Sequence, residues 1–168
     1  SAPSTGWICS LHPPVRWFSM TTALLTDHYE LTMVQAAMDA GTAGRRSLFD
    51  MFTRRLPEGR RYGVVAGLGR ALEAIDEFRF DPATLQFLLD QEIIRDNLAE
   101  WLANYRFSGD IWGYPEGETY FPGSPVLSVE GSFAEACVLE TVLLSIYNFD
   151  SATLNYFSIH KDMYKVRF

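Results

Sequence analysis

The sequence predicts a mixed α/β fold of the α+β kind. Three observations point there: helix-spaced apolar residues recur through Tyr105, short strands punctuated by Gly and Pro follow between Gly109 and Gly131, and a capped apolar helix comes next. With 168 residues and 48% hydrophobic content, the chain is long enough for one buried core and too short for two ordinary domains.

In the first helix, Thr26 or Asp27 supplies the cap, Leu31, Val34, Ala37 and Met38 share one face, and Gly41 follows as a left-handed stop near Ala40. Ser47 to Phe52 is short and apolar with Asp50 inside it, and it breaks at Arg54-Arg55-Leu56-Pro57, which predicts a strand. Leu68, Leu72, Ile75 and Phe78 define a second helix from about Val65. Asp81-Pro82 reads as a cap with a first-turn proline, leading Leu85 and Leu88 into a third helix. Leu98, Trp101, Leu102 and Tyr105 make a fourth. Asp110 to Tyr114, Glu118 to Phe121 and Pro125 to Val129 read as strands joined by tight turns. Ser132 to Glu135 forms a capping box ahead of a last helix whose buried face is Leu139, Val142, Leu143 and Ile146.

The two ends of the chain lack such a period. Residues 1–20 are expected to be a leader or extension, residues 21–152 the folded domain, and residues 153–168 an anomalous tail of the kind a truncated or frameshifted reading frame produces.

A net charge of −7 and a pI near 4.9 argue against non-specific nucleic-acid or anionic-membrane binding, because both need a basic surface. No apolar run reaches membrane-span length, and the first residues lack the order of a secretory signal. Cys9 and Cys137 belong to no Cys-x-x-Cys pair, so neither a zinc site nor a disulfide framework is predicted, and the cytosol is the expected compartment.

Leu24 to Met33, containing Thr26-Asp27-His28-Tyr29-Glu30, resembles the N-terminal signature of nicotinate phosphoribosyltransferases. Phe52 to Pro57, Tyr62 to Gly69, Gly117 to Gly123, Leu139-Glu140-Thr141 and Leu144 to Asn148 recur in that family's order, collinear to about Ser151. The resemblance implies the N-terminal domain of a type II phosphoribosyltransferase, with most of the adjoining irregular α/β barrel missing. It also implies a cytoplasmic homodimer that joins nicotinate to 5-phosphoribosyl 1-diphosphate, consuming ATP and giving nicotinate mononucleotide and pyrophosphate for NAD salvage. A nicotinamide-using sister enzyme and a non-catalytic binding domain that kept the scaffold are the rival readings.

In what the resemblance implies, Tyr29 stacks on the pyridine ring of nicotinate in the neighbouring subunit's active site. Aromatic stacking suits that task, because it orients a flat ring and contributes roughly 0.5–1.5 kcal/mol beyond burial. Taken without the family, a tyrosine in a helix's first turn is a packing residue. Asp27 is a substrate contact, a helix cap, or both. Arg54, with Arg55, sits where a loop can offer guanidinium forks to carboxylate or phosphate, or can simply be a solvated basic turn. His28 is not required by the family's motif, and Arg60 and Arg61 read as solvated. Gly67-Leu68-Gly69 is neither a P-loop nor a complete dinucleotide fingerprint, and serves turn and helix packing instead.

The family's phosphohistidine lies downstream in an Arg-Arg-containing segment, and its phosphoribosyl and Mg2+ sites lie on barrel loops. His12, His28 and His160 sit in no such segment. Mg2+ and ATP are therefore implied by the family with binding residues outside this chain, no catalytic or metal-ligating residue is assigned, and the chain alone is expected to be inactive.

Overall fold

A 3-10 turn over Thr22–Leu25 leads into helix α1, His28–Asp39, in a computed structural model that describes residues 22–159. The leader reading of residues 1–20 and the closing stretch from His160 lie outside the described residues. Asp27 holds the extended backbone of an N-cap, and Gly41 turns the chain left-handed at φ 67° just past the helix, as its stop requires.

Strand β1, Arg46–Phe52, pairs antiparallel with a longer strand, β5, Pro125–Ser132; β5 also pairs with β3, Asp110–Gly113. The sheet order is β1-β5-β3. Register aligns Phe49, Val129 and Ile111 in one row and Met51, Leu127 and Gly113 in the next. The alternating pleat turns these rows toward the helices and leaves Leu48, Asp50, Phe52 and Trp112 on the open face.

The three strands expected after Gly109 form, but they divide between two sheets. Strand β4, Thr119–Tyr120, leaves its sequence neighbours and pairs with β2, Gly63–Val64, which the sequence did not show as a strand. The close approach is steric in origin: a Cβ on Gly63 would lie 2.3 Å from the Tyr120 ring, so only glycine lets the aromatic side chain cross there.

Helix α2, Leu68–Asp76, begins three residues later than its apolar spacing predicts. Val65 is still in the ladder, donating its N–H to Glu118 O at 2.8 Å and accepting from Gly117 N–H at 2.9 Å. Gly67 then makes the bend into the helix at φ 109°, a region open chiefly to glycine. Helix α3, Pro82–Asp90, starts as expected, with Asp81 accepting from Thr84 N–H at 2.8 Å. Helix α4, Asp96–Ala103, stops short of Tyr105, whose ring is buried edge-on against Phe78 and Trp101 and whose hydroxyl donates to Glu135 O at 2.9 Å.

The capping box at Ser132 and Glu135 forms, but the helix it opens is brief. Helix α5, Phe133–Cys137, ends at Val138, and a second helix, α6, runs over Glu140–Ile159. Helix α6 passes through the stretch after Ala152 where no apolar period is visible. The reason is polar burial: Ser151 and Asn155 occupy its inward face and bond to the backbone of Ala66 and Val64, which hides the helical spacing from a hydropathy reading. Leu139, Val142, Leu98 and Phe78 are fully buried at the centre of the core.

Candidate functional site

The first turn of α1 carries the residues singled out from the sequence. Asp27, His28 and Tyr29 are all exposed, whereas Glu30 is fully buried at 0% exposure. A carboxylate taken out of water needs bonds to compensate. Glu30 Oε1 accepts from Thr141 N–H at 2.8 Å and from Thr141 Oγ1 at 2.7 Å, while Oε2 accepts from Asp27 N–H at 3.1 Å. Desolvation still prevails over these bonds, and the carboxyl is held above its ordinary value.

Tyr29 is 42% exposed. Partial burial, then a hydrogen bond to the Glu140 carboxylate and that group's charge, push its phenol up to about 12. It is a neutral, partly uncovered ring over the physiological range, with its hydroxyl turned toward the first turn of α6. Asp27 serves as the N-cap.

Arg54 lies elsewhere. It lines a cleft of about 570 Å³ together with Arg55, Arg60 and residues of α6 that include Ser145 and Asn148. None of the described residues lining this cleft is acidic, and its three arginines form no ion pair among the described residues. On a chain of net charge −7, that makes a local cationic pocket suited to carboxylate or phosphate. Arg60, read from the sequence as merely solvated, is half-buried there. Tyr29 and Asp27 do not line this cleft, so within the chain the stacking candidate and the arginines form two separate features.

The glycine loop before α2 is not a phosphate cradle. Gly67 N–H and Gly69 N–H, which point out of the helix start as an anion site would, already donate to the Glu116 carboxylate at 3.1 Å. Glu30 and Thr141 are not among the site residues expected from the sequence. Asp27-x-x-Glu30 has the spacing of a capping box, and that signal could have drawn attention to Glu30. Its partner, 111 residues away in sequence, could not have been found that way.

Among the described residues no group of three or more His, Cys, Asp or Glu side chains is placed to hold a metal ion. No described helix is long and apolar enough to cross a membrane.

Residues 24–148 match the family described as the nicotinate phosphoribosyltransferase (NAPRTase) N-terminal domain. Nicotinate phosphoribosyltransferase pncB1 of Mycobacterium tuberculosis is 58% identical over 132 residues, covering 77% of this chain and 28% of that protein. The crystal structure of human nicotinic acid phosphoribosyltransferase superposes with a TM-score of 0.67 at 33% identity, over 73% of this chain and 25% of that one. Nicotinate-nucleotide pyrophosphorylase from Pyrococcus furiosus shares the fold, with a TM-score of 0.52 at 21% identity over 75% of this chain and 25% of that one. The chain spans about a quarter of the length of these relatives. With the signature segments collinear, the matched residues filling most of the chain and the human fold superposing on it, this chain belongs to the nicotinate phosphoribosyltransferase family through its N-terminal domain.

Proposed function

We propose that this chain is the substrate-positioning part of a nicotinate phosphoribosyltransferase, a cytoplasmic enzyme of NAD salvage that works as a homodimer. The reaction joins nicotinate to 5-phosphoribosyl 1-diphosphate, releasing nicotinate mononucleotide and pyrophosphate with ATP consumed. The observation that carries this reading is the partly exposed Tyr29 ring on a helix start tied down on both sides, within a family match over residues 24–148.

Each feature has a defined task. Tyr29 offers a flat, neutral face on which the pyridine ring is held for attack through its nitrogen on the anomeric carbon. Arg54, with Arg55 and Arg60, supplies positive charge for a substrate carboxylate or phosphate. Asp27 caps the helix that presents Tyr29 and stands beside it as a lesser substrate contact. Because Tyr29 and the arginine cleft are separate within one chain, each is completed by other parts of the assembled enzyme, such as the barrel and a second subunit. ATP and Mg2+ belong to those parts, and so does the electrostatic stabilisation of the departing pyrophosphate.

Two measurements test the reading. The purified chain incubated with nicotinate, 5-phosphoribosyl 1-diphosphate, ATP and Mg2+ should give no nicotinate mononucleotide, while a version extended to the length of its relatives should give it. In that extended enzyme Tyr29→Ala should lose roughly 1–3 kcal/mol of transition-state stabilisation, with Tyr29→Phe milder. Unchanged nicotinate kinetics in Tyr29→Ala would remove Tyr29 from the site, and turnover by the 168-residue chain would show that the catalytic groups lie within it.

A further inference from the structure

Tyr29 is flanked by two latches to the same place. On one side, Thr26 Oγ1 donates to Val138 O at 2.9 Å, at the junction between α5 and α6. On the other, the buried Glu30 carboxylate takes both the N–H and the hydroxyl of Thr141, in the first turn of α6, at 2.8 and 2.7 Å. The same Glu30 accepts from Asp27 N–H at 3.1 Å, so the turn is closed on itself and fastened at Thr26 and Glu30 to the residues around the start of α6.

Filling space does not explain Glu30. A leucine or methionine would occupy similar volume without losing hydration, whereas a fully buried carboxylate incurs a desolvation penalty that only its bonds offset. Those bonds are directional, which apolar packing is not. What they secure is the angle and register of one helix start on another, and the residue carried between the latches is Tyr29.

We propose that Glu30 and Thr141 are positioning residues for Tyr29, locking the first turn of α1 onto the first turn of α6 so that the phenol ring is presented at a fixed orientation to a flat ring ligand. The proposal rests on the reading of Tyr29 given above. The Glu140 carboxylate, next to Thr141, is close enough to raise the Tyr29 phenol, so the same turn of α6 that bonds Glu30 also faces Tyr29.

The test uses the 168-residue chain carrying a site-specific 13C label in the Tyr29 ring, with ring order read by NMR and global unfolding followed in parallel. Thr141→Val removes the hydroxyl while keeping the shape. It should leave a folded chain whose Tyr29 ring is more mobile, and Thr141→Ser should restore the ring order. Glu30→Gln should act like Thr141→Val or more strongly; should it fail to fold, the Thr141 pair decides alone. A folded Thr141→Val with the parent's Tyr29 signal overturns the proposal, as does a Thr141→Ser that fails to restore it. In the extended enzyme, Thr141→Val should raise the nicotinate KM several-fold with a smaller change in kcat. A Tyr29 signal that responds to Thr141→Val while Tyr29→Ala leaves nicotinate kinetics unchanged would uphold the clamp and sink the stacking role, so the two failures are distinguishable.

Discussion

Asn155 offers the sharpest test of how the long helix α6 holds the smaller sheet. It is 5% exposed; its Oδ1 accepts from Val64 N–H at 3.0 Å and its Nδ2 donates to Val64 O at 3.2 Å, so a single side chain caps the free edge of β2 as a neighbouring strand would. Asn155→Ala leaves both Val64 groups without these partners. Each orphaned backbone group costs about 1–3 kcal/mol, and because Val64 is half-buried water recovers part of this, so the expected loss is about 2–4 kcal/mol. For a chain of this size that corresponds to a fall in Tm of roughly 5–15 °C. Urea and thermal unfolding of the purified chain, followed by circular dichroism, would measure it. Thr153→Ala is the control: Thr153 is exposed and its hydroxyl donates to Phe149 O one turn back, so its removal should change stability by no more than about 0.5 kcal/mol. Ending the chain after Ala152 should cost at least as much as Asn155→Ala. An Asn155→Ala variant as stable as the Thr153→Ala control would refute the strand-capping role.

Three further outcomes are expected. Gly109→Ala places a Cβ 2.0 Å from the backbone oxygen of Glu130, which cannot move without disturbing the β3–β5 ladder, so it should destabilise by more than 2 kcal/mol or so, and parent-like unfolding would contradict the register. Glu30 holds its proton more tightly folded than unfolded, so its contribution to stability falls as pH rises from about 4.5 through its raised folded value; Glu135 works the other way, because bonds from Ser132 and Ser108 outweigh burial and its contribution is lost as pH falls. A stability–pH curve for Glu30→Gln that retains the parent's decline above pH 4.5 would contradict that sign. Finally, Leu48, Phe52 and Trp112, at 59%, 49% and 52% exposure on one open sheet face, should drive concentration-dependent self-association of the isolated chain, measurable by sedimentation; a monomer that binds no hydrophobic dye would count against it.

What could be read from the sequence was local. The caps at Asp81 and Ser132, the stop at Gly41 and the strand rich in alternating apolar residues before Arg54 are decided within a few residues, and each forms as its chemistry dictates. Tyr29, Asp27 and Arg54 stood out because a short motif carries them. Features made by distant partners were invisible. Gly63-Val64 is too short and too plain to announce a strand and becomes one only because Tyr120 crosses over Gly63. Helix α6 beyond Ala152 could not be seen because Ser151 and Asn155, polar by type, are buried by virtue of what they bond. Glu30 stands in the sequence only as the last residue of the Thr26–Glu30 segment, and its bond to Thr141 exists only in the fold.

Glu116 has a consequence for how the chain meets anions. By lodging its carboxylate on Gly67 and Gly69, it neutralises the positive end of α2 from within, leaving an added phosphate no vacancy there. Negatively charged ligands are left to the guanidinium groups around Arg54, of which Arg54 and Arg55 are exposed and therefore screened over a Debye length of about 8–10 Å at moderate salt. Ionic strength should therefore tune anion capture at the arginine cleft while leaving the glycine loop indifferent, so that the electrostatic grip of this domain on a charged substrate is adjustable and its scaffold is not.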